Sequence, residues 1–261
     1  MPKKPSVPNA KKRVVSRAGV SLARALSKLG IVSRTVAATW ICAGRVAVND
    51  AVVLDPARRV DMAQDRIAVD DQRVCAAPKR YLALNKPRGL VTTARDEHGR
   101  NTVYDCLSAV RDVQLAPVGR LDKASEGLLL FTNDTRWAQR ILDPVTHVTK
   151  VYHVQVDGLP DAAQLEQLRS SMVLDDGVQV DAIAVSVLRA GLKNCWLEFT
   201  LDEGRNRQIR RMLEQVGLTV LRLVRVAIGP VQLGKLAKGE VRELTDLEVE
   251  ALATTTARTD R

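Results

Sequence analysis

A lone carboxylate, Asp122, is the residue whose setting most suggests chemistry. It lies in a polar turn just before the apolar run 128–131. An apolar run of that length between chain breakers predicts a buried strand, and Asn133 or Asp134 is suited to cap the helix that follows. Asp122 is therefore expected on a loop at the rim of a sheet, where a rigid scaffold usually presents chemically active side chains. Turn preferences alone would also explain an aspartate at this position.

Two further segments place polar side chains on regular elements. Residues 150–158 alternate as a strand does, which puts Tyr152 on the side expected to be buried. Residues 202–213 are rich in arginine, and helical spacing separates an apolar stripe from a charged face. Continued to residue 216, the stripe contains Ile209, Met212, Leu213 and Val216, and the charged face contains Arg207, Arg210, Arg211 and Glu214. On periodicity alone, the tyrosine belongs to a core and the arginines belong to a solvated surface.

Together these segments resemble a known enzyme family. The chain contains, in order, Gly119-Arg120-Leu121-Asp122, Ser125-Glu126-Gly127-Leu128, Lys150-Val151-Tyr152 and Glu203-Gly204-Arg205-Asn206-Arg207-Gln208. These phrases closely resemble the motifs of ribosomal RNA pseudouridine synthases of the RsuA/RluB type. The resemblance extends from Val20 to about Leu252, and it implies an enzyme that isomerises uridine to pseudouridine in RNA.

The resemblance also implies roles for individual residues. Asp122 would be the nucleophile, and Tyr152 would pack against the target base and assist proton transfer. Arg210 would pair with the aspartate, with Arg207 as the second choice. Substrate contacts are expected from these motifs at Arg120, Leu121, Arg207 and Ile209. They are also expected from the turn at residues 85–89, called the opening turn because it follows the first strand of the catalytic domain, at Lys86 and Arg88. The reaction detaches uracil from C1′ of its ribose and rejoins it through C5, so it needs no cofactor.

The composition favours a nucleic-acid partner. The chain has 40 Lys and Arg against 30 Asp and Glu, a formal net charge of +10, which favours a polyanion. We expect ribosomal RNA or a pre-ribosomal particle as the partner of a cytoplasmic monomer. The four cysteines and three histidines show no metal-ligand spacing, and no glycine-rich phosphate loop is present, so no metal is predicted. No apolar stretch is long enough to span a membrane.

The N-terminal part of the chain is similar to a second known unit. Residues 22–29 predict a short helix, Ser33 caps another, and a hairpin turns at Asn49-Asp50. The phrases Ser33-Arg34 and Gly44-Arg45-Val46 resemble the RNA-binding domain first known in ribosomal protein S4. By that resemblance, Arg34 and Arg45 would contact phosphates.

We predict an α+β fold in five segments. They are a disordered basic arm at 1–19, the S4-like domain at 20–73, a linker at 74–79, the catalytic domain at 80–252 and a frayed tail at 253–261. The catalytic domain is expected to contain a mixed, largely antiparallel sheet with flanking helices. Two of its strands are expected at 178–188 and 234–244.

The resemblance favours large-subunit, 23S-type RNA over 16S-type RNA as the substrate. A non-catalytic RNA-binding assembly factor would fit the charge but would not explain the phrase around Asp122. A glycoside hydrolase with Asp122 and Glu126 as its carboxylate pair would also break a bond at an anomeric carbon. The basic composition and an aromatic content of only 3% argue against that hydrolase.

Overall fold

The structure is a computed structural model that describes residues 19–93, 96, 99–108, 110 and 113–254. The predicted basic arm, apart from Gly19, and residues 255–261 of the predicted tail lie outside the described residues. The chain divides into two compact units between Ala76 and Ala77. No helix in the described part of the chain is long and apolar enough to cross a membrane.

The first unit contains two helices and two small sheets. Its elements are β1 (Val20–Ser21), α1 (Leu22–Lys28), α2 (Arg34–Cys42), β2 (Val46–Val48), β3 (Ala51–Val52), β4 (Arg59–Val60), β5 (Ile67–Val69) and β6 (Gln72–Arg73). Ser33 caps α2 as predicted, and its hydroxyl accepts a hydrogen bond from the Val36 N–H. The predicted hairpin turn joins β2 to β3, and Asn49 and Asp50 both adopt the positive φ of a type I′ turn.

The connection between the units is shorter than the predicted linker 74–79. The Val74 N–H donates to the Ile67 carbonyl in the first unit. The Pro78 carbonyl accepts a hydrogen bond of 2.7 Å from Asn133 Nδ2 in the second unit. Both ends of the predicted linker are therefore bound to a folded unit, which leaves residues 75–77 as the connection.

The second unit contains one large sheet with helices on both faces, and a separate two-stranded sheet formed by residues 172–173 and 179–180. Its strands are β7 (Tyr81–Lys86), β8 (Ala116–Pro117), β9 (Glu126–Thr132), β10 (Lys150–Asp157), β11 (Met172–Val173), β12 (Gln179–Val180), β13 (Ala184–Ala190), β14 (Asn194–Leu201), β15 (Thr219–Ile228), β16 (Val231–Gln232) and β17 (Val241–Glu243). Its helices are α3 (Thr135–Leu142), α4 (Ala162–Arg169), α5 (Gln208–Gln215) and α6 (Asp246–Thr254), with 3₁₀ turns at Val103–Leu107 and Pro144–Thr146.

The large sheet has the strand order β13-β14-β10-β15-β9-β7-β17, with β16 beside β15 and β8 beside β9. Its strand pairs are antiparallel except for β15 with β9, which is parallel. The mixed, largely antiparallel sheet with flanking helices confirms the predicted fold class.

The parallel strands β15 and β9 pair over a very short length in the middle of the sheet, and this short pairing is called the fork. β15 and β9 pair only at Val224 with Glu126 and at Arg225 with Gly127. Gly127 has φ +99°, and a Cβ on it would lie 2.3 Å from the Arg225 carbonyl oxygen. Only glycine allows this close backbone approach. The glycine in the phrase after Asp122 is therefore required by the packing of the two strands.

Two apolar cores cover the two faces of the sheet. Strand β9 is buried on both faces, with Leu129 and Phe131 in one core and Leu128 and Leu130 in the other. The first core includes Ile209, Met212 and Leu213 of α5, and the second includes Trp137 and Ile141 of α3. The side chain of Asp134 caps α3 by accepting from the N–H groups of Arg136 and Trp137.

Two predicted strands are wrong in extent. Residues 178–188 form β12 and the start of β13, separated by residues 181–183. Of residues 234–244, only Val241–Glu243 is a strand, because Gly234 and Gly239 have positive φ and the segment between them turns. Both segments contain part of the predicted strand, but a turn or bend interrupts each of them.

Candidate active site

A cavity of about 360 Å³ lies in the second unit. Its lining includes Gly119, Arg120, Leu121, Asp122, Ser125, Lys150, Tyr152, Leu201, Arg205, Arg207, Ile209, Arg210, Leu223 and Arg225. A volume of this size is within the range of small-ligand sites. Three segments predicted from separate parts of the sequence thus meet at one cavity, namely the Asp122 turn, the Lys150–Tyr152 strand and the arginine-rich segment.

Asp122 lies on a loop between β8 and β9 and has an exposed side chain. Thr92 Oγ1 donates to the Leu121 carbonyl at 2.7 Å. The Asp122 carbonyl accepts from the Ser125 N–H at 3.0 Å. The loop backbone is therefore held on both sides of Asp122, while its carboxylate stays accessible from the cavity.

Lys86, which the sequence predicts as a substrate contact, is buried beneath this loop. Its side chain has 0% exposure. The Nζ atom donates to the carbonyls of Pro87, Asp122 and Ser125 at 3.1, 3.1 and 2.8 Å. Burial lowers the pKa of Lys86 to about 8, against the opposing effects of Asp122 and Glu126. All three ammonium donors point at loop carbonyls, so Lys86 positions the Asp122 loop.

We expect Lys86→Met to slow isomerisation without weakening RNA binding. The variant removes the three lysine hydrogen bonds to these carbonyls, and a loop shift of about 1 Å can cost on the order of 100-fold in rate. The single-turnover rate should fall about 10- to 100-fold, with the dissociation constant for RNA within about twofold of the parent's. Lys79→Met, which changes a half-exposed lysine in the same way, is the control. A parental rate combined with a lowered melting temperature would show that Lys86 stabilises the fold without positioning the loop.

Strand β10 brings Tyr152 and Lys150 to the cavity. Tyr152 is buried, as its alternation predicts, and lines the cavity beside Leu223. Lys150 Nζ donates to the Asp202 carbonyl at 2.8 Å. Burial, with the charge of Arg225 adding to it, lowers the pKa of Lys150 to about 8. The cavity therefore holds a lysine whose charge is poorly solvated.

The arginine-rich segment differs in two respects from the prediction. Helix α5 begins at Gln208, and Arg207 precedes it with φ +50°. The predicted ion pair of Arg210 with Asp122 is absent from the described part of the structure, and Arg210 Nη2 instead donates to the Ala124 carbonyl at 3.3 Å. Burial and the charge of Arg207 lower the pKa of Arg210, and Asp122 opposes them. Arg210 thus lies close enough to Asp122 to interact with its charge.

The remaining predicted residues fall into two groups. Arg120, Leu121, Arg207 and Ile209 line the cavity. Arg88 is exposed on the opening turn and lies outside the cavity lining, although its charge also lowers the pKa of Arg210.

The two predicted phosphate-binding residues of the first unit differ in their surroundings. Arg34 is exposed at the start of α2. Arg45 forms a bidentate ion pair with Asp70, with Nε 2.9 Å from a carboxylate oxygen, and its guanidinium lies 4.5 Å from the centroid of the Trp40 ring. Arg34 is therefore the freer of the two to bind a phosphate.

Glu126 is separated from the cavity, which removes the carboxylate pair required by the glycoside hydrolase alternative. It is 3% exposed and accepts hydrogen bonds from Arg222 and Lys238. These two cations keep the pKa of Glu126 below its usual value despite burial. Its role is to anchor β9, and Asp122 is the carboxylate that faces the cavity.

Sequence reasoning missed Ser125, Lys150 and Arg225 as residues of the site. Ser125 and Lys150 lie inside the recognised motifs, but the predicted roles were given to neighbouring residues of those motifs. Arg225 had a signal of its own, because it is a charged residue in the middle of the apolar strand 220–228.

No cluster of possible metal ligands occurs among the residues that the structure describes.

The chain matches two models of known families. Residues 80–215 match the model described as RNA pseudouridylate synthase. This is more than half of the chain. The chain belongs to the RNA pseudouridylate synthase family. Residues 20–74 match the model of the S4 domain, which confirms the predicted RNA-binding unit of this synthase.

Relatives of the synthase cover nearly all of its length. A protein of Aquifex aeolicus named an uncharacterized RNA pseudouridine synthase is 38% identical over 89% of this chain and 93% of its own. Two proteins named ribosomal large subunit pseudouridine synthase B are also similar. The one from Pseudomonas aeruginosa is 37% identical over 90% of this chain and 62% of its own, and the one from Bacillus subtilis is 34% identical over 88% and 94%.

A solved structure agrees with this assignment. The crystal structure of a pseudouridylate synthase superposes with a TM-score of 0.62 at 27% identity, covering 89% of this chain and 99% of the other. The protein is thus an RNA-binding isomerase that forms pseudouridine in RNA, as the motifs predict.

Proposed function

We propose that the synthase isomerises a specific uridine of large-subunit ribosomal RNA, with Asp122 as the nucleophile and the target base flipped into the cavity. The observation that carries the proposal is the exposed Asp122 carboxylate at a cavity that is also lined by Tyr152 and Arg210. The large-subunit preference rests on the two relatives named for that subunit. A cytoplasmic location follows from this choice of substrate.

Asp122 is suited to attack because its loop is fixed while its carboxylate is free. Hydrogen bonds from Lys86 Nζ, Thr92 Oγ1 and the Ser125 N–H to backbone carbonyls hold the loop. A carboxylate held in this way can attack C1′ or the uracil ring, or stabilise the sugar cation, with little reorganisation. The positive charge of Arg210 lies close enough to interact with this carboxylate.

The cavity also provides the walls that isomerisation needs. The detached uracil must not escape, since water would then leave an abasic site. Leu121, Tyr152, Ile209 and Leu223 are buried and line the cavity. A base enclosed by these side chains must have left its stack, which costs a few kcal/mol, least in loops and junctions. The proposed target is therefore a uridine in a loop or junction.

The S4 domain supplies affinity through phosphate contacts. We expect Arg34→Ala to weaken RNA binding and to reduce the slope of log K against log salt concentration by about one, since one phosphate contact is lost. Filter binding at several salt concentrations measures this. Arg66→Ala is the control because Arg66 already pairs with Asp50 at 2.7 Å. Equal slopes for Arg34→Ala and the parent would place the phosphate contacts elsewhere.

The proposal is tested by incubating the purified protein with unmodified transcripts of large-subunit and small-subunit ribosomal RNA. Pseudouridine should form at one or a few positions of the large-subunit transcript. Modification of the small-subunit transcript alone would overturn the proposed substrate but leave the reaction intact.

A further inference from the structure

The cavity has polar groups that nothing in the described protein satisfies. Ser125 Oγ, Arg210 Nε and Arg225 Nη2 are buried atoms without a hydrogen-bond partner among the described residues, and all three residues line the cavity. Buried polar groups in folded proteins nearly always have a partner. Open donors gathered around one cavity indicate a ligand that is rich in hydrogen-bond acceptors.

Arg225 is the more deeply buried of the two arginines. It is 6% exposed and lies on β15 opposite Tyr152 of β10. Its Nε donates to the Leu128 carbonyl at 2.7 Å, one position beyond the fork where β9 stops pairing with β15. This single bond fixes the guanidinium beside the cavity, and its terminal nitrogens have no acceptor within the described chain.

The hydrogen bonds of Lys86 and Arg225 differ, and the difference distinguishes a cation that serves packing from one that can bind a substrate. The chain gives the buried Lys86 three carbonyl acceptors, one for each ammonium hydrogen. Arg225 has five N–H donors, and only its Nε is bound to a described residue. A buried cation kept for packing alone would be satisfied as Lys86 is, so the open donors of Arg225 are available to a substrate.

Lys150 adds a second poorly solvated cation to the same cavity. Its Nζ has the Asp202 carbonyl as its acceptor, and the charge of Arg225 disfavours its protonated form. Two cations that destabilise each other are together stabilised by negative charge placed near both. The cavity is therefore arranged for a group that gains negative charge.

The proposed reaction creates such a group. When the bond between C1′ and N1 breaks, its electron pair leaves with the base, and the charge spreads over N1, O2 and O4 of uracil. The base then turns and C5 bonds to C1′, displacing Asp122 or capturing the sugar cation. The C5 proton leaves and N1 gains a proton, so the product is an isomer of the substrate.

We propose that Arg225, with Lys150 on the neighbouring strand, donates hydrogen bonds to a uracil oxygen on which this charge develops, so that it is a further catalytic residue. The proposal rests on the proposed function. Donors aimed at developing charge in a water-poor site commonly contribute on the order of 10²- to 10³-fold in rate. An RNA phosphate is the rival occupant, and it predicts a different result in the experiment below.

The experiment compares Arg225→Met and Arg225→Lys with the parent on a short RNA that contains the target uridine. For Arg225→Met we expect a single-turnover rate about 100-fold lower with the dissociation constant unchanged within about twofold. Arg225→Lys, which keeps the charge, should recover part of the rate. Arg222→Met is the matched control, because Arg222 lies on the same strand but is paired with Glu126 outside the cavity, and its rate should equal the parent's.

A second substrate separates charge stabilisation from a structural role. In 5-fluorouridine the fluorine withdraws electrons, which makes the base a better leaving group that needs less help. The rate loss in breaking the C1′–N1 bond, measured for both Arg225 variants, should therefore be smaller with 5-fluorouridine than with uridine. Arg225→Lys decides the point if Arg225→Met does not fold.

Three results would overturn the inference. They are a parental rate in folded Arg225→Met, an equal loss on both substrates, and weaker binding with a salt slope reduced by about one, which would assign Arg225 to a phosphate. If the parent protein itself leaves every RNA unmodified, the proposed function fails instead.

Discussion

Asp122→Asn is expected to abolish pseudouridine formation while preserving the fold and RNA binding. The amide keeps the size of the carboxylate and its side chain is exposed, so the loop held by Lys86 should not move. The substitution removes the charge that attacks or stabilises C1′. The single-turnover rate should fall on the order of 10⁴-fold or more, as for other enzymes that lose a nucleophile.

The control for this variant is Asp157→Asn. It makes the same change in net charge at an exposed position on the last residue of β10, outside the cavity lining. Any general effect of charge on RNA affinity should appear in both proteins. An Asp122→Asn protein that isomerises uridine near the parental rate would refute the nucleophile assignment.

Arg210→Ala should have the second largest effect, about 10²- to 10³-fold in the single-turnover rate. It removes the positive charge that interacts with Asp122 and the hydrogen bond to the Ala124 carbonyl. Both losses affect the loop that carries the nucleophile. The expected result is a folded protein with a much lower rate and only modestly weaker RNA binding.

Arg211→Ala is a close control because it removes the neighbouring arginine of the same helix. Arg211 pairs with Asp176 at 2.6 Å and does not line the cavity. Its loss should leave the rate within about threefold of the parent's, as expected for a surface ion pair. If Arg211→Ala and Arg210→Ala slow the reaction equally, the helix as a whole matters, and the specific role of Arg210 is wrong.

Local chemistry made much of the fold predictable. Ser33, Asp134 and Asp161 cap helices as their side chains suggest, since a cap depends on neighbouring residues. The Asn49-Asp50 turn likewise follows from residues that tolerate positive φ. Strand β9 was foreseen because a short apolar run between breakers has few alternatives.

The failures arise where distant segments decide the structure. Lys86 is buried because carbonyls of a loop about 40 residues later surround its Nζ, and no local pattern reports that. Arg225 reaches the cavity because the sheet forks between β9 and β15. The motif resemblance identified Asp122, Tyr152 and Arg210 as candidate catalytic residues. The structure was needed to show which residues surround them.

The central claim is tested most directly by mapping pseudouridine across the ribosomal RNA of cells that have or lack this protein. The account predicts that one or a few uridines of the large-subunit RNA lose their modification in the deletion strain. It also predicts that the parent gene restores them and that the Asp122→Asn gene does not. An unchanged pseudouridine map in the deletion strain, or full restoration by Asp122→Asn, would contradict it.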